Sequence, residues 1–335
     1  MGVFFMEQKA RVKNFKKQVV PEGKINDLIF RELIKRGYSL SGNTRVWNIA
    51  DSKLWYLTPV QAQAFLDLEK SVDYQKDVIQ KEIDLINKNM CEVVKKVEGE
   101  NINIVDIGCG DGKKAVLFIE KFGLEHVKIR YCPIDISNYM VTKAINRIKK
   151  LNIEEIIEFQ WNISDFENLE NVANLIKSQK SGKNLFLLLG NTLGNFEINE
   201  LLYEIRSSME CGEVLLIGNG LNNSNVEEII KSYNTPDVYN FLIHLLTQLG
   251  FDSNDLEFGV KFENSRVELF YTVKDNVKIS FLDKKVYFNK GDQIIVSVSY
   301  KYDKDEFKSL LNLYFDDVDV FTSKDESYAL ALCKK

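Results

Sequence analysis

Residues Ile104 to Gly112, Ile-Val-Asp-Ile-Gly-Cys-Gly-Asp-Gly, hold the residue types and spacing with the most chemical content in this 335-residue chain. Four residues of strand character run into Gly108, Gly110 and Gly112, and a helix-like segment from Lys113 to Phe122 follows. That order presents bare backbone at the carboxyl end of a parallel strand, where a nucleotide-like cofactor can approach. The glycines admit the amino-acid tail of such a cofactor where a Cβ would clash. The spacing is not the full dinucleotide fingerprint. Asp106, which opens the run, and a second acid downstream favour S-adenosylmethionine over a dinucleotide. The second acid is Asp135, in His126-Val-Lys-Ile-Arg-Tyr-Cys-Pro-Ile-Asp-Ile-Ser137. It lies close to the interval of about 20 residues typical of carboxylates that bind ribose hydroxyls. Asp165-Phe166, after a strand-like run at Glu158 to Trp161, supplies a carboxylate and a ring for the adenine. The plainer alternatives are that Asp135 caps the helix at Ser137 and that Asp165 sits in a surface turn.

A second stretch, Leu185-Phe-Leu-Leu-Leu-Gly-Asn-Thr-Leu-Gly-Asn-Phe196, turns from wholly apolar to polar at Gly190. It places Gly190, Asn191, Thr192, Gly194 and Asn195 where a sheet meets a ligand cleft. The side-chain amide of Asn195 can bind a carboxylate or an amine. A turn satisfied by asparagine and glycine is the alternative.

The elements that must position these groups alternate. Strands are predicted near 102–107, 127–134, 156–161, 184–190 and 213–218, and helices near 113–122, 138–150, 168–178, 198–209 and 225–249. This is the α/β pattern of a doubly wound, Rossmann-like parallel sheet. Ahead of it, helices are predicted near 25–35 and, long or broken, from Pro59 to Val97, with a loop around 37–44. Residues 256–300 alternate apolar and polar, as in an antiparallel insertion. A helix at 304–313 and strands at 315–321 and 327–333 return to the main sheet. Residues 61–218 with 303–335 are expected to form the cofactor domain, and 1–60 with 219–302 a smaller α+β lobe that completes a substrate pocket.

Composition narrows the chemistry. A formal net charge of −5, with no basic cluster interleaved with aromatics, argues against nucleic acid as a partner. The five cysteines (Cys91, Cys109, Cys132, Cys211, Cys333) are scattered without metal-ligand spacing, and only His126 and His244 are present. No metal is expected, and a reduced, cytoplasmic monomer is. Residues 1–20 contain no apolar run long enough for a signal peptide or a membrane span.

The order of Asp-Ile-Gly-Cys-Gly, Tyr131-Cys-Pro-Ile-Asp-Ile-Ser, Leu189-Gly-Asn-Thr-Leu-Gly-Asn-Phe and Val298-Ser-Tyr-Lys-Tyr302 resembles that of the histidine-specific methyltransferase family. Its members include enzymes that trimethylate the α-amine of histidine toward ergothioneine, and a fungal enzyme that methylates a prenylated tryptophan. The likeness runs from about residue 45 to the C-terminus and is strongest in the two glycine motifs. It implies a class I methyltransferase that takes S-adenosylmethionine and a small amino-acid substrate. Tyr56, in Trp55-Tyr-Leu-Thr, is then the aromatic that reaches the substrate. Asn195 and Tyr233 hold the amino-acid backbone of the substrate. Two departures bear on the substrate. Where the histidine enzymes place a glutamate and a serine on the imidazole, this chain has Ser297 and Ser299, and the run Ser299-Tyr-Lys-Tyr looks closer to the tryptophan-type branch. An acid that the family carries after the fifth strand is replaced by Asn219-Gly220.

The expected site therefore comprises Asp106, Gly108, Gly110, Asp135, Asp165, Phe166 and Gly190 for the cofactor. Tyr56, Asn195, Tyr233, Ser297 and Ser299 serve the substrate, and Tyr56, Asn195 and Tyr233 orient the reacting amine. The expected reaction is N-methylation of a histidine-like or aromatic amino acid by in-line displacement. An O-, S- or protein methyltransferase, or a cofactor-binding module that has lost activity, are the alternatives.

Overall fold

A computed structural model describes residues 16–17, 25–97, 99, 101–159, 162–163, 169, 182–223 and 225–335. Asp165, Phe166 and the helix expected at 168–178 lie outside these residues, apart from Leu169. The chain divides into two compact units. One takes in the segment ending at Ile49 with Leu245–Gly259 and Phe270–Ile295; the other takes in Ala50–His244, Val260–Leu269 and Val296–Lys335.

The larger unit is built on a sheet whose strands lie in the order Asp317–Thr322, Tyr328–Lys334, Val214–Gly220, Lys183–Leu188, Asn101–Ile107, Lys128–Asp135, Ile156–Phe159. The last five in that row pair in parallel. Tyr328–Lys334 runs antiparallel to Val214–Gly220, and Asp317–Thr322 pairs antiparallel beside it. A short strand, Asn162–Ile163, pairs with the end of Lys128–Asp135. Strand order reverses at Asn101–Ile107, whose neighbours are the next strand in the chain on one side and Lys183–Leu188 on the other. In open α/β sheets, ligands bind beyond the carboxyl ends of the strands at such a reversal.

Alternation along the strands divides the core. Val105, Ile107, Phe186 and Leu188 pack on one face with Leu201, Leu202 and Ile205 of helix Ile198–Ser208 and with Phe307 and Leu311 of helix Lys304–Asn312. Ile102, Ile104, Leu185 and Leu187 pack on the other with helices Gln80–Val97, Ala115–Leu124 and Asn138–Lys149. Each such side chain, taken fully out of water, contributes about 1.5–3 kcal/mol before entropy is counted.

Two local details differ from the expected pattern. The segment expected as one helix over 225–249 is two, Val226–Tyr233 and Pro236–Thr247. Pro236 opens the second helix, and proline disfavours helical backbone in the residue before it. The break leaves Tyr233 as the last residue of the first helix. The loop expected around 37–44 is a hairpin, Tyr38–Ser41 with Thr44–Asn48, turning at Gly42 with φ 58°. The segment from Pro59, expected as a long or broken helix, is broken: it stops after Leu68 and resumes through a π turn at Gln75–Ile79 before Gln80–Val97.

In the smaller unit, Gln293, Ile294 and Ile295 pair in parallel with Val46, Trp47 and Asn48. The hairpin Val277–Phe281/Lys284–Phe288 stands beside Gln293 in sequence. Phe288 packs on Trp47 and Phe251 at centroid distances of 4.9 and 4.8 Å. Arg45 donates to Asp292, which is 3% exposed.

Candidate functional site

The glycine turn after Asn101–Ile107 is in the left-handed conformation that glycine adopts without strain. Gly108, Gly110 and Gly112 have φ of 67°, 52° and 76°. Gly108 N and Cys109 N donate to Ile134 O at 2.8 and 3.1 Å, which ties the turn to the end of the adjacent strand. At Gly112 a Cβ would stand 2.9 Å from the Ala144 Cα, so the turn also sets how closely helix Asn138–Lys149 approaches. A space for bare backbone thus faces Asp135. Its Oδ2 accepts from Gly110 N at 3.2 Å and its Oδ1 from Ser137 N at 2.9 Å. With two acceptor positions on each oxygen, the carboxylate keeps capacity for a ligand hydroxyl. Burial raises the Asp135 carboxyl to about 6, partly offset by the backbone donors of Ser137, Gly110 and Ile136.

Asp106 is 5% exposed and accepts from Tyr131 OH at 2.7 Å. Burial raises it to about 7 against the pull of Tyr131 and Lys114. It stands behind the turn with one oxygen committed to the core.

Gly190, φ 79°, ends the apolar strand Lys183–Leu188 and donates its N–H to Glu82 Oε1 at 2.8 Å. Glu82 is wholly buried; Tyr328 OH donates to the same oxygen at 2.8 Å, and Lys114 Nζ stands 2.6 Å from the other. Lys114 Nζ would lie 2.5 Å from a Cβ on Gly190, and Glu82 Oε1 1.8 Å from one on Gly218, so both glycines leave room for this pair. Burial lowers the Lys114 ammonium, but the charges of Glu82 and Glu69 outweigh it and leave it raised. A cation held at the mouth of a glycine turn suits the carboxylate of a bound amino-acid tail.

Beyond Gly190 the polar groups separate into two kinds. Asn191 has φ 62° and is committed: its Oδ1 accepts from Gly220 N at 2.8 Å and its Nδ2 donates to Ser299 Oγ at 3.3 Å. Asn195, in the short turn Leu193–Asn195, is half-buried, and its amide has no hydrogen-bond partner among the described residues. The other substrate candidates fall around two centres. Tyr56 lies in an aromatic group with Trp55, Phe65 and Phe241, at centroid distances of 6.3, 5.3 and 5.9 Å. Trp55 Nε1 donates to Val296 O at 2.9 Å and fixes that group. Burial pushes the Tyr56 hydroxyl up, helped by the charges of Asp135 and Glu69.

At the second centre, the Tyr233 hydroxyl lies 2.9 Å from Ser299 Oγ, and Lys301 Nζ donates to the same Oγ at 2.8 Å. Ser297, Ser299 and Lys301 are 7%, 2% and 5% exposed. They alternate along one face of extended chain. Burial raises the Tyr233 hydroxyl, but the Lys301 charge and hydrogen bonds from Lys301, Ser299 and Asn191 overcome it and bring it below the ordinary tyrosine value. Tyr74 joins the two centres: burial raises its hydroxyl, and the charges of Glu69, Tyr56, Tyr233 and Glu82 add to that.

Sequence reasoning placed Asp106, Asp135, Gly108, Gly110, Gly190, Asn191, Asn195, Tyr56, Tyr233, Ser297 and Ser299 in this unit and missed Lys301, Glu82, Lys114 and Tyr74. Two signals were available. Ser-x-Ser-x-Lys alternates at strand period, so Lys301 follows Ser297 and Ser299 on their face. Glu82 falls on the apolar stripe that Leu85, Ile86, Met90 and Val93 form on helix Gln80–Val97, an acid where a hydrophobe belongs.

The sheet order with one antiparallel strand and a positive-φ glycine turn facing a strand-end carboxylate define the class I fold of methyltransferases that use S-adenosylmethionine. Residues 71–335 match the family described as histidine-specific methyltransferase, SAM-dependent, and the chain belongs to that family. It is an S-adenosylmethionine-dependent methyltransferase. Among curated relatives, it is 24% identical over 261 residues to N-methyltransferase fsqC of Aspergillus fumigatus, covering 74% of this chain and 70% of that one. It is 19% identical over 263 residues to the histidine N-alpha-methyltransferase of Mycobacterium tuberculosis, covering 74% and 78%. N-methyltransferase dtpB of Aspergillus flavus is 22% identical over 289 residues, covering 79% of each. A solved S-adenosylmethionine-dependent methyltransferase from Clostridium acetobutylicum aligns with TM-score 0.47 and 12% identity over 81% of this chain and 98% of that one. No helix among the described residues is long and apolar enough to cross a membrane.

Proposed function

We propose that this methyltransferase acts on the α-amine of a small amino acid of histidine-like or aromatic type. The observation that carries the reading is that one unit holds the strand-end carboxylate Asp135, an amide without a hydrogen-bond partner among the described residues, Asn195, and the aromatic group around Tyr56. Residues 61–218 with 303–335 are the proposed cofactor domain, and 1–60 with 219–302 the proposed substrate lobe. The active species is proposed to be a monomer working in the cytoplasm.

When bound, S-adenosylmethionine supplies an electrophilic methyl on a sulfonium. Its residues here are the turn Gly108–Gly110, which admits the amino-acid tail, Asp135 for the ribose hydroxyls, Lys114 for the tail carboxylate, and Asp165 and Phe166 for the adenine. The Asn195 amide takes the substrate carboxylate. Tyr56 and Tyr233 orient the amine, and Tyr74 adds a hydroxyl between them. An ammonium has no lone pair to attack with, so the pocket must favour the neutral amine. Burial away from water lowers an amine pKa in that direction. Holding amine and methyl in line can account for several kcal/mol of the barrier, about 7–11 at the upper end of measured effective molarities.

Ser297 in place of an imidazole-binding carboxylate weakens histidine by about 1–3 kcal/mol, enough to lose selectivity. That favours an aromatic or modified amino acid. Calorimetric titration with S-adenosylhomocysteine, followed by free amino acids on the loaded protein, tests this. Cofactor-product binding followed by binding of an aromatic amino acid is expected. Saturation with cofactor and silence from every amino acid would overturn the substrate class.

A further inference from the structure

We infer that Tyr233 is the proton acceptor for the substrate ammonium, set up for that role by a surround of donors only: Lys301, Ser299 and Asn191. The inference rests on the proposed amine substrate and extends it from orientation to proton transfer.

The geometry decides which way each hydrogen points. Gly220 N–H can only donate, and it lies 2.8 Å from Asn191 Oδ1. The amide orientation of Asn191 is therefore set, and its Nδ2 must face Ser299 Oγ at 3.3 Å. Lys301 Nζ also can only donate, and it reaches the same Oγ at 2.8 Å. A serine hydroxyl has two acceptor positions and one hydrogen. Both acceptor positions are taken, so the hydrogen points at its remaining neighbour, the Tyr233 oxygen at 2.9 Å. Tyr233 is thus an acceptor in this cluster. Its own proton has no acceptor there and must point out of the cluster or leave.

Charge balance favours its leaving. Lys301 is 5% exposed, and none of the ion pairs found among the described residues includes it. Its other contacts are Tyr300 O at 3.5 Å and the Tyr233 ring, with Nζ 5.4 Å from the centroid. A buried ammonium without a counter-charge is costly, and a Tyr233 phenolate would neutralise it. The other titratable group facing Tyr233 is Tyr74, whose hydroxyl is pushed up by burial and by Glu69, Tyr56, Tyr233 and Glu82. Tyr233 is therefore the stronger acid of the two.

The step balances without a further reagent. The substrate N–H bond breaks, its proton bonds to the phenolate oxygen, and the electron pair stays on nitrogen. After methyl transfer, Tyr233 returns its proton to solvent. A base working near neutral pH is the efficient arrangement. Lys301, Ser299 and Asn191 are positioning residues that act through Tyr233.

The test is an ultraviolet difference titration of tyrosinate on the cofactor-free chain, comparing wild type with Tyr233→Phe, Lys301→Met and Lys301→Arg. One tyrosine of the fourteen is expected to ionise ahead of the others, to be missing in Tyr233→Phe, to move up by about a pH unit or more in Lys301→Met, and to return in Lys301→Arg. The acid limb of kcat/KM should move up with it in Lys301→Met. Identical titrations for wild type and Tyr233→Phe would overturn the inference even if Lys301→Met fails to fold. So would an acid limb indifferent to Lys301→Met. An early-ionising Tyr233 in a protein that binds no amino acid would instead sink the amine substrate and leave the phenolate standing.

Discussion

The Lys114 ammonium stands 2.6 Å from a Glu82 carboxylate that no solvent reaches. The pair joins three parts of the larger unit: helix Gln80–Val97, the chain that follows the first glycine turn, and the Gly190 turn, whose N–H also ends on Glu82. Removing one partner leaves the other charge buried and uncompensated. Glu82→Leu and Lys114→Met are each expected to cost about 3–5 kcal/mol in denaturant unfolding. The double variant should lose less than the two singles added together. Additive losses would show that the two charges stabilise the fold independently.

Asn191 and Asn195 sit four residues apart and should behave oppositely. Asn191→Ala strips Gly220 N–H and Ser299 of partners and puts alanine at φ 62°. A loss of about 1–3 kcal/mol of stability is expected. Asn195→Ala breaks no hydrogen bond among the described residues and should stay within about 0.5 kcal/mol of wild type while losing turnover and keeping S-adenosylhomocysteine affinity. Thermal melts beside single-turnover assays separate the two. Full activity in Asn195→Ala would remove it from the substrate site.

Asp135, the proposed ribose carboxylate, is expected to couple binding and stability to pH in opposite senses. Burial raises it to about 6 and Asp106 to about 7. A carboxyl whose folded pKa stands above its unfolded one binds its proton more tightly in the folded state. Its contribution to stability is therefore full below the unfolded value, near 4, and is lost as pH rises through about 6 and 7. Ribose binding needs the ionised form. S-adenosylhomocysteine affinity should accordingly fall about tenfold per unit as pH drops below about 6. Asp135→Asn should weaken binding and flatten that dependence. An unchanged slope in the variant would assign the titration to another group.

Ser297 is 7% exposed. Ser297→Glu should bury an unpaired carboxylate and lower the melting temperature of the empty protein. Histidine should restore it and bind at least about tenfold tighter than to wild type, as expected for about 1–3 kcal/mol of charge-assisted hydrogen bonding. A variant that folds yet ignores histidine would place the side-chain end of the substrate elsewhere.

Most of the main sheet was legible because its signals are local. Glycines after a β-rich run, and apolar residues at period two or 3.6, report on a dozen neighbours at most. Strands were placed within a residue or two at 101–107, 128–135, 183–188 and 214–220. The errors fell where one residue overrides its neighbours. Pro236 split a helix whose apolar spacing runs on without a gap, and Gly42 made a hairpin of a polar stretch that reads as loop.

What the sequence determined by itself was the class of chemistry: a glycine turn, a strand-end acid at the ribose interval, and a second glycine–asparagine turn in the order one family uses. Tertiary structure alone decided which polar groups are spent and which are free. Asn191 and Asn195 are the same residue in near-identical settings of the motif, yet one is locked by Gly220 and Ser299 while the other keeps an open amide. Glu82 meets Gly190 across 108 residues, and Lys301 meets Tyr233 across the helix break at Pro236. Hydrogen-bond partners and counter-charges depend on distances of a few ångströms between segments far apart in the chain, and no local pattern encodes those.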